Sequence, residues 1–375
     1  MTGLIDKYRS WFALKNVPGV GSVLFKRLIT AFESPQGVFN ASNHELKGIK
    51  GMGPRILQGI HKNRTHCPGN EIRAIERCGF KIAVLTDPHY PELLLHIPDP
   101  PPILTYLGTL DNIPPCIAIV GSRQATAYGI DTAFKLGCKL ASRGFQIVSG
   151  MAMGIDTSAH KGALQARGRT IAVLGCGLKT IYPRENRRLY HDIADKGAVI
   201  SEFPIHSSPD ARHFPMRNRI IAGMSTGTIV VEAAAKSGSL ITARLTAEYN
   251  REVFAVPGSI QSFKSTGTHA LIKQGAKLVE NELDVIEELG HMVHQEAPSH
   301  PNGSPGGTES HFLEPDTPQE EILNCLGPYP VHIDTIIETS GLDAGIVNAS
   351  LLCLELKGVI KQTSGKFFFT VEETP

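Results

Sequence analysis

Apolar and polar positions change rhythm several times along the chain, and each change predicts a different kind of structure. Over residues 1–70 apolar positions recur at helical intervals in short pieces. Two of these pieces, LKNVPGVGSVLFKRLITAF and LKGIKGMGPRILQGIHKN, are broken by a Gly-x-Gly turn. From 71 to 290 the rhythm becomes an alternation. Short runs of Val, Ile, Leu and Ala stand at 117–120, 146–149, 171–174, 198–200, 228–231 and 253–256, separated by amphipathic stretches such as TAFKLGCKLASRG. Runs that are apolar throughout predict parallel strands buried on both faces. Their alternation with helices predicts an α/β protein with a doubly wound sheet. Two further extended pieces, KIAVL (81–85) and ILTYL (103–107), flank a segment in which Pro98, Pro100, Pro101 and Pro102 forbid a regular helix. They predict an extra strand pair annexed to the sheet. Residues 291–316 are rich in Pro, Gly, Ser and His and predict a flexible linker. From Thr317 onward three helical patterns and a hairpin around Ser364-Gly365 predict a winged helix over 317–375.

Glycine-bearing turns close several of the strand candidates: Gly121-Ser122-Arg123, then Gly150 and Gly154 around Met151-Ala152-Met153, then Gly175 and Gly177. In an open parallel sheet such loops line one crevice, and ligands bind there. Glycine admits close approach of backbone N–H groups to a phosphate, and a helix start favours the negative charge. Ser237, Gly238 and Ser239 form a further small-residue turn at a helix start, another anion nest. Cations follow in two segments. IYPRENRRLY carries Arg184, Arg187 and Arg188 with Asn186, and ARHFPMRNRIIAG carries Arg212, Phe214, Arg217, Asn218 and Arg219. Cations that track a backbone, with an aromatic that stacks bases, suit single-stranded nucleic acid. A surface salt-bridge network with Glu185, Asp192, Glu202 and Asp210 would use the same residues. Asp156 and His160, at i and i+4, form either an acid/base pair or a helix-start Asp with a packed His. Glu232 is either a catalytic acid or base at the crevice or an acceptor that holds a loop.

Composition bounds these readings. With 41% hydrophobic and 19% charged residues the chain is ordinary for a globular protein, and at 375 residues it has room for more than one domain. Its N-terminus does not read as a signal peptide, and no run of about 18 apolar residues predicts a membrane span. Seven scattered cysteines without a C-x-x-C pair point to reduced thiols in a cytosol. No metal-ligand spacing, P-loop, G-x-S-x-G or H-E-x-x-H is present, and no G-x-G-x-x-G supports a nicotinamide or flavin, so neither cofactor nor metal is expected. The net charge of +1 hides an asymmetry: ten Lys/Arg against three Asp/Glu in residues 1–70, and three against 12 in residues 291–375. A basic front suits a polyanion. The two Gly-x-Gly turns there resemble helix-hairpin-helix modules, which offer N–H groups to DNA phosphates; a packing domain of the sterile-alpha-motif kind would keep the turns without the binding. The acidic end argues against DNA reading by the winged helix, whose recognition stretch (343–357) offers Asp343 and Glu355 against Lys357.

An ordered set of motifs covers most of the chain: YPELLLHIPDPPPILTYLG, VGSR, SGMAMGIDTSAHKGAL, GCGLKTIYPRENRRLY, SEFP, FPMRNRIIAG, VVEAAAKSGSLITA and VFAVPGSI followed by GTHALIKQGAKLV. Together they resemble the DprA/Smf family of bacterial DNA-processing proteins. The resemblance implies an extended Rossmann-like domain over 71–290, an N-terminal helical domain over 1–70 and a variable winged helix. It implies cytoplasmic single-stranded DNA binding without catalysis, protection of incoming strands in natural transformation, loading of RecA, and a homodimer formed through 267–279. It carries the DNA pocket onto Gly121, Ser122 and Arg123, onto Arg184 and Asn186, and onto Phe214, Arg217, Asn218 and Arg219. Phosphates are expected against Gly121, Ser122, Gly150 and the Ser237–Ser239 nest, and Gly154 is expected among the DNA-binding residues. Two other readings stand beside it. One is a phosphoribohydrolase-type enzyme using Gly227-Thr228 and Glu232. The other is a duplex-binding regulator using the N-terminal hairpins and the winged helix.

Overall fold

The computed structural model describes residues 3–64, 68–110, 113–289, 319, 322–323, 325–326, 331–356, 359–363 and 366–370. The expected linker, the Thr317 cap and the Ser364-Gly365 turn lie outside the described residues. The chain divides into two compact units, residues 1–298 and 299–375.

In the first unit nine strands form one sheet among the described residues: β1 (Lys81–Val84), β2 (Ile103–Gly108), β3 (Cys116–Val120), β4 (Gln146–Ser149), β5 (Thr170–Val173), β6 (Ala198–Ser201), β7 (Gly227–Val230), β8 (Glu252–Ala255) and β9 (Lys277–Leu278). Their spatial order is β1-β2-β6-β5-β4-β3-β7-β8-β9. The seven strands from β6 to β9 are parallel; β2 runs antiparallel to both β1 and β6. The annexed pair expected from KIAVL and ILTYL is therefore present, at one edge. The strands at the sheet centre alternate their apolar residues between two helical layers. Ile117, Ile119, Ile147 and Phe254 pack with Leu136 and Leu140 of helix Ala127–Ser142 and with Ile155 and Ala159 of helix Ile155–Gln165. Ala118, Val120, Val148 and Val230 pack on the other side with Ile220 and Ile221 of helix His213–Met224 and Ala243 of helix Ser239–Glu248. Apolar side chains in both directions explain why the strands read as continuous hydrophobic runs.

The N-terminal helices join that second layer, because one buried cluster contains Trp11, Phe12 and Phe25 together with Ile82, Leu104 and Ile200. Helices Leu4–Lys15 and Ser22–Phe32 are linked by the first Gly-x-Gly turn; helices Asn43–Lys47 and Pro54–Asn63 are linked by the second. Cations beside the first turn are engaged within the chain. Lys26 Nζ donates to the carbonyls of Leu95 and Ile97 at 2.7 and 2.9 Å, and Arg27 donates to Lys50 O at 2.9 Å.

The second unit contains helices Ile333–Ser340 and Ala344–Leu356 and an antiparallel sheet of β10 (Val331–His332), β11 (Ile360–Thr363) and β12 (Phe367–Thr370), ordered β10-β12-β11. Ile336, Val347, Leu351, Ile360 and Phe368 form its core. This is the winged helix expected from the pattern. Among the described residues no single helix is long and apolar enough to cross a membrane.

Candidate nucleic-acid interface

The chain leaves β3 to build β4, β5 and β6 on one side and returns to its other side with β7. Loops at such a reversal splay apart and open a crevice at the carboxyl ends of the strands. A cleft of about 390 Å³ occupies this place. The turn after β3 lines it with Gly121, Ser122 and Arg123; helix His213–Met224 contributes Phe214, Arg217 and Asn218; the loop before helix Ser239–Glu248 contributes Lys236, Ser237, Gly238 and Ser239. A smaller recess of about 50 Å³ shares Arg123, Ala152 and Phe214 and continues past Gly150 and Gly175 to Tyr182 and Pro183.

Phe214 is the hub. The Arg123 guanidinium lies 5.0 Å from its ring centroid, and that of Arg217 lies 6.0 Å away. The exposed Tyr182 ring is centred 5.9 Å from it at 43°. Phe214, Arg217 and Asn218 fall at i, i+3 and i+4, so one face of the helix presents all three. Arg217 is 4% exposed. It donates to Gly150 O at 2.8 Å, to Val173 O, and to Asn218 Oδ1 at 3.2 Å. Burial pushes its pKa down to about 10, against the opposing pull of Asp156, so it stays charged at neutral pH. Gly150 is required here by the arginine: a Cβ would lie 2.3 Å from Arg217 Nη1.

Asp156 accepts from the amides of Gly150 and Ala152 at 3.1 and 3.3 Å, which knits the loop after β4. Burial raises its pKa, with Arg217 and those amides working the other way. His160 is fully buried, its Nδ1 is 2.7 Å from Thr170 Oγ1, and burial pushes its pKa down to about 3. The two are thus a helix-start Asp and a packed neutral His. Glu232 is 4% exposed, and its carboxylate accepts from the Thr126 amide at 3.0 Å and from the Thr126 hydroxyl. It holds a loop and is not among the residues lining the cleft.

The small-residue turn stands at a helix start. Ser237 Oγ and Ser239 Oγ are 2.8 Å apart at the start of a ten-residue helix, and nothing lies within 4 Å of the place a Gly238 Cβ would take. Gly121, Ser122, Arg123, Gly150, Phe214, Arg217, Asn218, Ser237, Gly238 and Ser239 are therefore brought together around the cleft and its recess.

Four expected residues lie elsewhere. Arg219 is 8% exposed and paired with Glu202 and, at 3.3 Å, with Asp99; at i+5 from Phe214 it falls on the far side of the helix. Asn186 is buried and donates to Met151 O at 2.9 Å and Thr157 Oγ1 at 2.8 Å, bracing the loop from behind. Arg184 is exposed in a short 3-10 turn but lines neither cavity; Tyr182 and Pro183 of the same segment do. Gly154 has φ 79°, and a Cβ would lie 2.4 Å from Ser122 O. It lets two loops cross and does not face the cleft. The sequence reading missed Lys236 and Tyr182. Lys236 is exposed between the small residues of AAAKSGS, where the glycine and serines drew attention first.

A mostly parallel open sheet, with a cationic, aromatic and amide-lined cleft at its reversal point, defines an α/β protein whose cleft has the chemistry that suits a phosphate-bearing ligand. Comparison with known proteins makes the class specific. Residues 81–290 match the family model for DNA recombination-mediator protein A, and residues 312–366 match the DprA winged helix domain. The chain belongs to the DprA/Smf family. Protein Smf of Synechocystis sp. is 36% identical over 95% of this chain and 96% of its own length. DNA processing protein DprA of Streptococcus pneumoniae is 47% identical over 55% of this chain and 73% of its own, and a solved structure of that protein superposes with TM-score 0.66 over 74% of this chain and 97% of the other. A structure devoted to the single-stranded DNA binding mode of Helicobacter pylori DprA is 32% identical and superposes with TM-score 0.52 over 57% of this chain and 98% of the other.

Proposed function

We propose that the protein binds single-stranded DNA in the cleft and acts as a recombination mediator, shielding incoming strands in the cytoplasm during natural transformation and passing them to RecA. The observation that carries the reading is the stack of Arg123 on Phe214 at the point where the strand order reverses. A phosphate fits between Ser122 and the Ser237–Ser239 nest, with Arg123 and Lys236 as mobile cations. A base fits against Phe214, with Tyr182 as a neighbouring platform. Arg217 shapes the floor and adds fixed charge.

Binding without catalysis is supported by the carboxylates. Glu232 does not line the cleft, and Asp156, which does, is engaged by two backbone amides and by the charge of Arg217, so neither stands as a free acid or base. Self-association through 267–279 is supported by a groove of about 630 Å³ between helices Ser239–Glu248 and Thr266–Lys273, lined by Leu240, Ile241, Ala247, Val253, Ala270 and Leu271.

Fluorescence anisotropy with a labelled single strand, competed by unlabelled single-stranded and duplex DNA at equal salt, tests the reading. Single strands are expected to compete far better. Preference for duplex overturns it. Release of free base from nucleoside monophosphates would favour a phosphoribohydrolase instead.

A further inference from the structure

We infer that Arg219 is a positioning residue for the cleft: one buried ion-pair node ties the N-terminal helices to the helix bearing Phe214 and Arg217, and acts on the bound strand without touching it. The inference rests on the single-strand reading above. Three distant segments meet at this node. The Glu202 carboxylate, just after β6, pairs with Arg219 Nη2, and Asp99 of the proline-rich segment lies 3.3 Å from Arg219 Nε. Lys15, the last residue of the first helix, donates from Nζ to the Glu202 carbonyl at 2.9 Å. Arg219 and Glu202 side chains are 9% and 10% exposed, and the remaining Arg219 Nη1 and Glu202 Oε1 are buried without a hydrogen-bond partner. The pair is the buried centre of the node, and removing either charge leaves its partner buried with only the more exposed Asp99, or the Lys15 ammonium, to offset it.

The node sits on the back of the helix whose front makes the site. Between the two faces, Ile220 is fully buried against the sheet. A helix clamped on both sides has little freedom to rotate, so the azimuth of Phe214 and Arg217 is set partly by the pair behind them. A residue that contacts phosphate and one that positions the contacts are separable by salt. Losing a phosphate contact lowers the slope of log K against log[salt] by about 0.7 for a single strand. Losing alignment lowers affinity at every salt concentration and leaves the slope in place.

The experiment uses the full chain and a labelled 20-nucleotide oligo(dT), titrated from low to high salt, with wild type, R123A, R219M, R219K, E202Q and the R219M/E202Q pair. Circular dichroism at the assay temperature reports the folded fraction. R219M and E202Q are each expected to bind about tenfold more weakly with the wild-type slope, and the double variant to be no weaker than the weaker single, as coupled residues behave. R219K should recover part of the loss. E202Q, which keeps shape, serves if R219M does not fold. A slope that falls in R219M as it does in R123A would make Arg219 a contact and overturn the inference. So would wild-type affinity in both R219M and E202Q. Absence of binding by the wild type would overturn the single-strand reading itself, and this inference with it.

Discussion

Replacing Arg123 by Ala probes the centre of the site, and its effect divides into two parts. The first is charge. One cation–phosphate contact to a single strand contributes about 0.7 to the salt slope, which corresponds to roughly fivefold in affinity at 0.1 M salt. The second is the stack. The guanidinium 5.0 Å above the Phe214 centroid orients the ring on which a base would rest in the proposed complex, and an exposed cation–π contact is worth about 0.5–1 kcal/mol, a further two- to fivefold. R123A should therefore bind about 10- to 25-fold more weakly at 0.1 M salt, with a slope lower by about 0.7. Extrapolated to 1 M salt, only the two- to fivefold loss from the stack should remain. F214A gives the complementary result: it removes base stacking worth about 1–3 kcal/mol and leaves the slope unchanged. Anisotropy titrations at four or five salt concentrations measure all of this. An unchanged slope in R123A, or a lowered slope in F214A, would refute the assignment of charge to one residue and stacking to the other.

Other perturbations separate the scaffold from the contacts. Gly150→Ala forces a Cβ to within 2.3 Å of the buried Arg217 guanidinium; overpacking of this kind costs about 1–3 kcal/mol, so chemical denaturation should show reduced stability and anisotropy should show weakened binding. Lys26→Ala loses two hydrogen bonds to carbonyls, about 1–3 kcal/mol of stability, while oligonucleotide affinity and salt slope should stay at wild-type values. His160 has a folded-state pKa near 3, below its unfolded value of about 6.5. The unfolded state therefore takes up the proton first as pH falls, and the stability present above pH 6.5 is lost on the way down towards pH 3. About 2 kcal/mol should be lost between pH 7.5 and pH 5. Urea denaturation across that range should show the loss in wild type and a flatter profile in His160→Asn.

The sheet was legible because its strands are apolar on both faces. Each strand from β3 to β8 lies within a residue or two of its hydrophobic run, and the annexed pair was readable from the prolines between its members. β9 was not, since Lys277–Leu278 is too short for any pattern and exists by pairing with β8. The site was legible in its turns and less so in its arginines. FPMRNR reads as a cluster in sequence, yet on a helix Arg217 and Arg219 are two residues, about 200°, apart. Applying helical spacing to the segment would have placed Phe214, Arg217 and Asn218 together and sent Arg219 to the other side. Arg184 and Asn186 illustrate a different limit. Whether a side chain in an irregular turn faces outward or braces the loop behind it depends on neighbours distant in sequence, here Met151 and Thr157.

The hydroxyl of Tyr8, on the first helix, donates to the carbonyl of Ile82 at 3.3 Å. Ile82 belongs to β1, the outermost strand of its side of the sheet, where main-chain groups lack a further strand to bond with. Exposed edges of this kind act as templates on which another chain can add. The N-terminal helices thus also serve as a cover, shielding Ile82, Ala83 and Val84, which are at most 6% exposed. A shortened protein beginning after residue 70 would present that apolar edge to solvent, and its characteristic failure would be polymerisation along the β1 side.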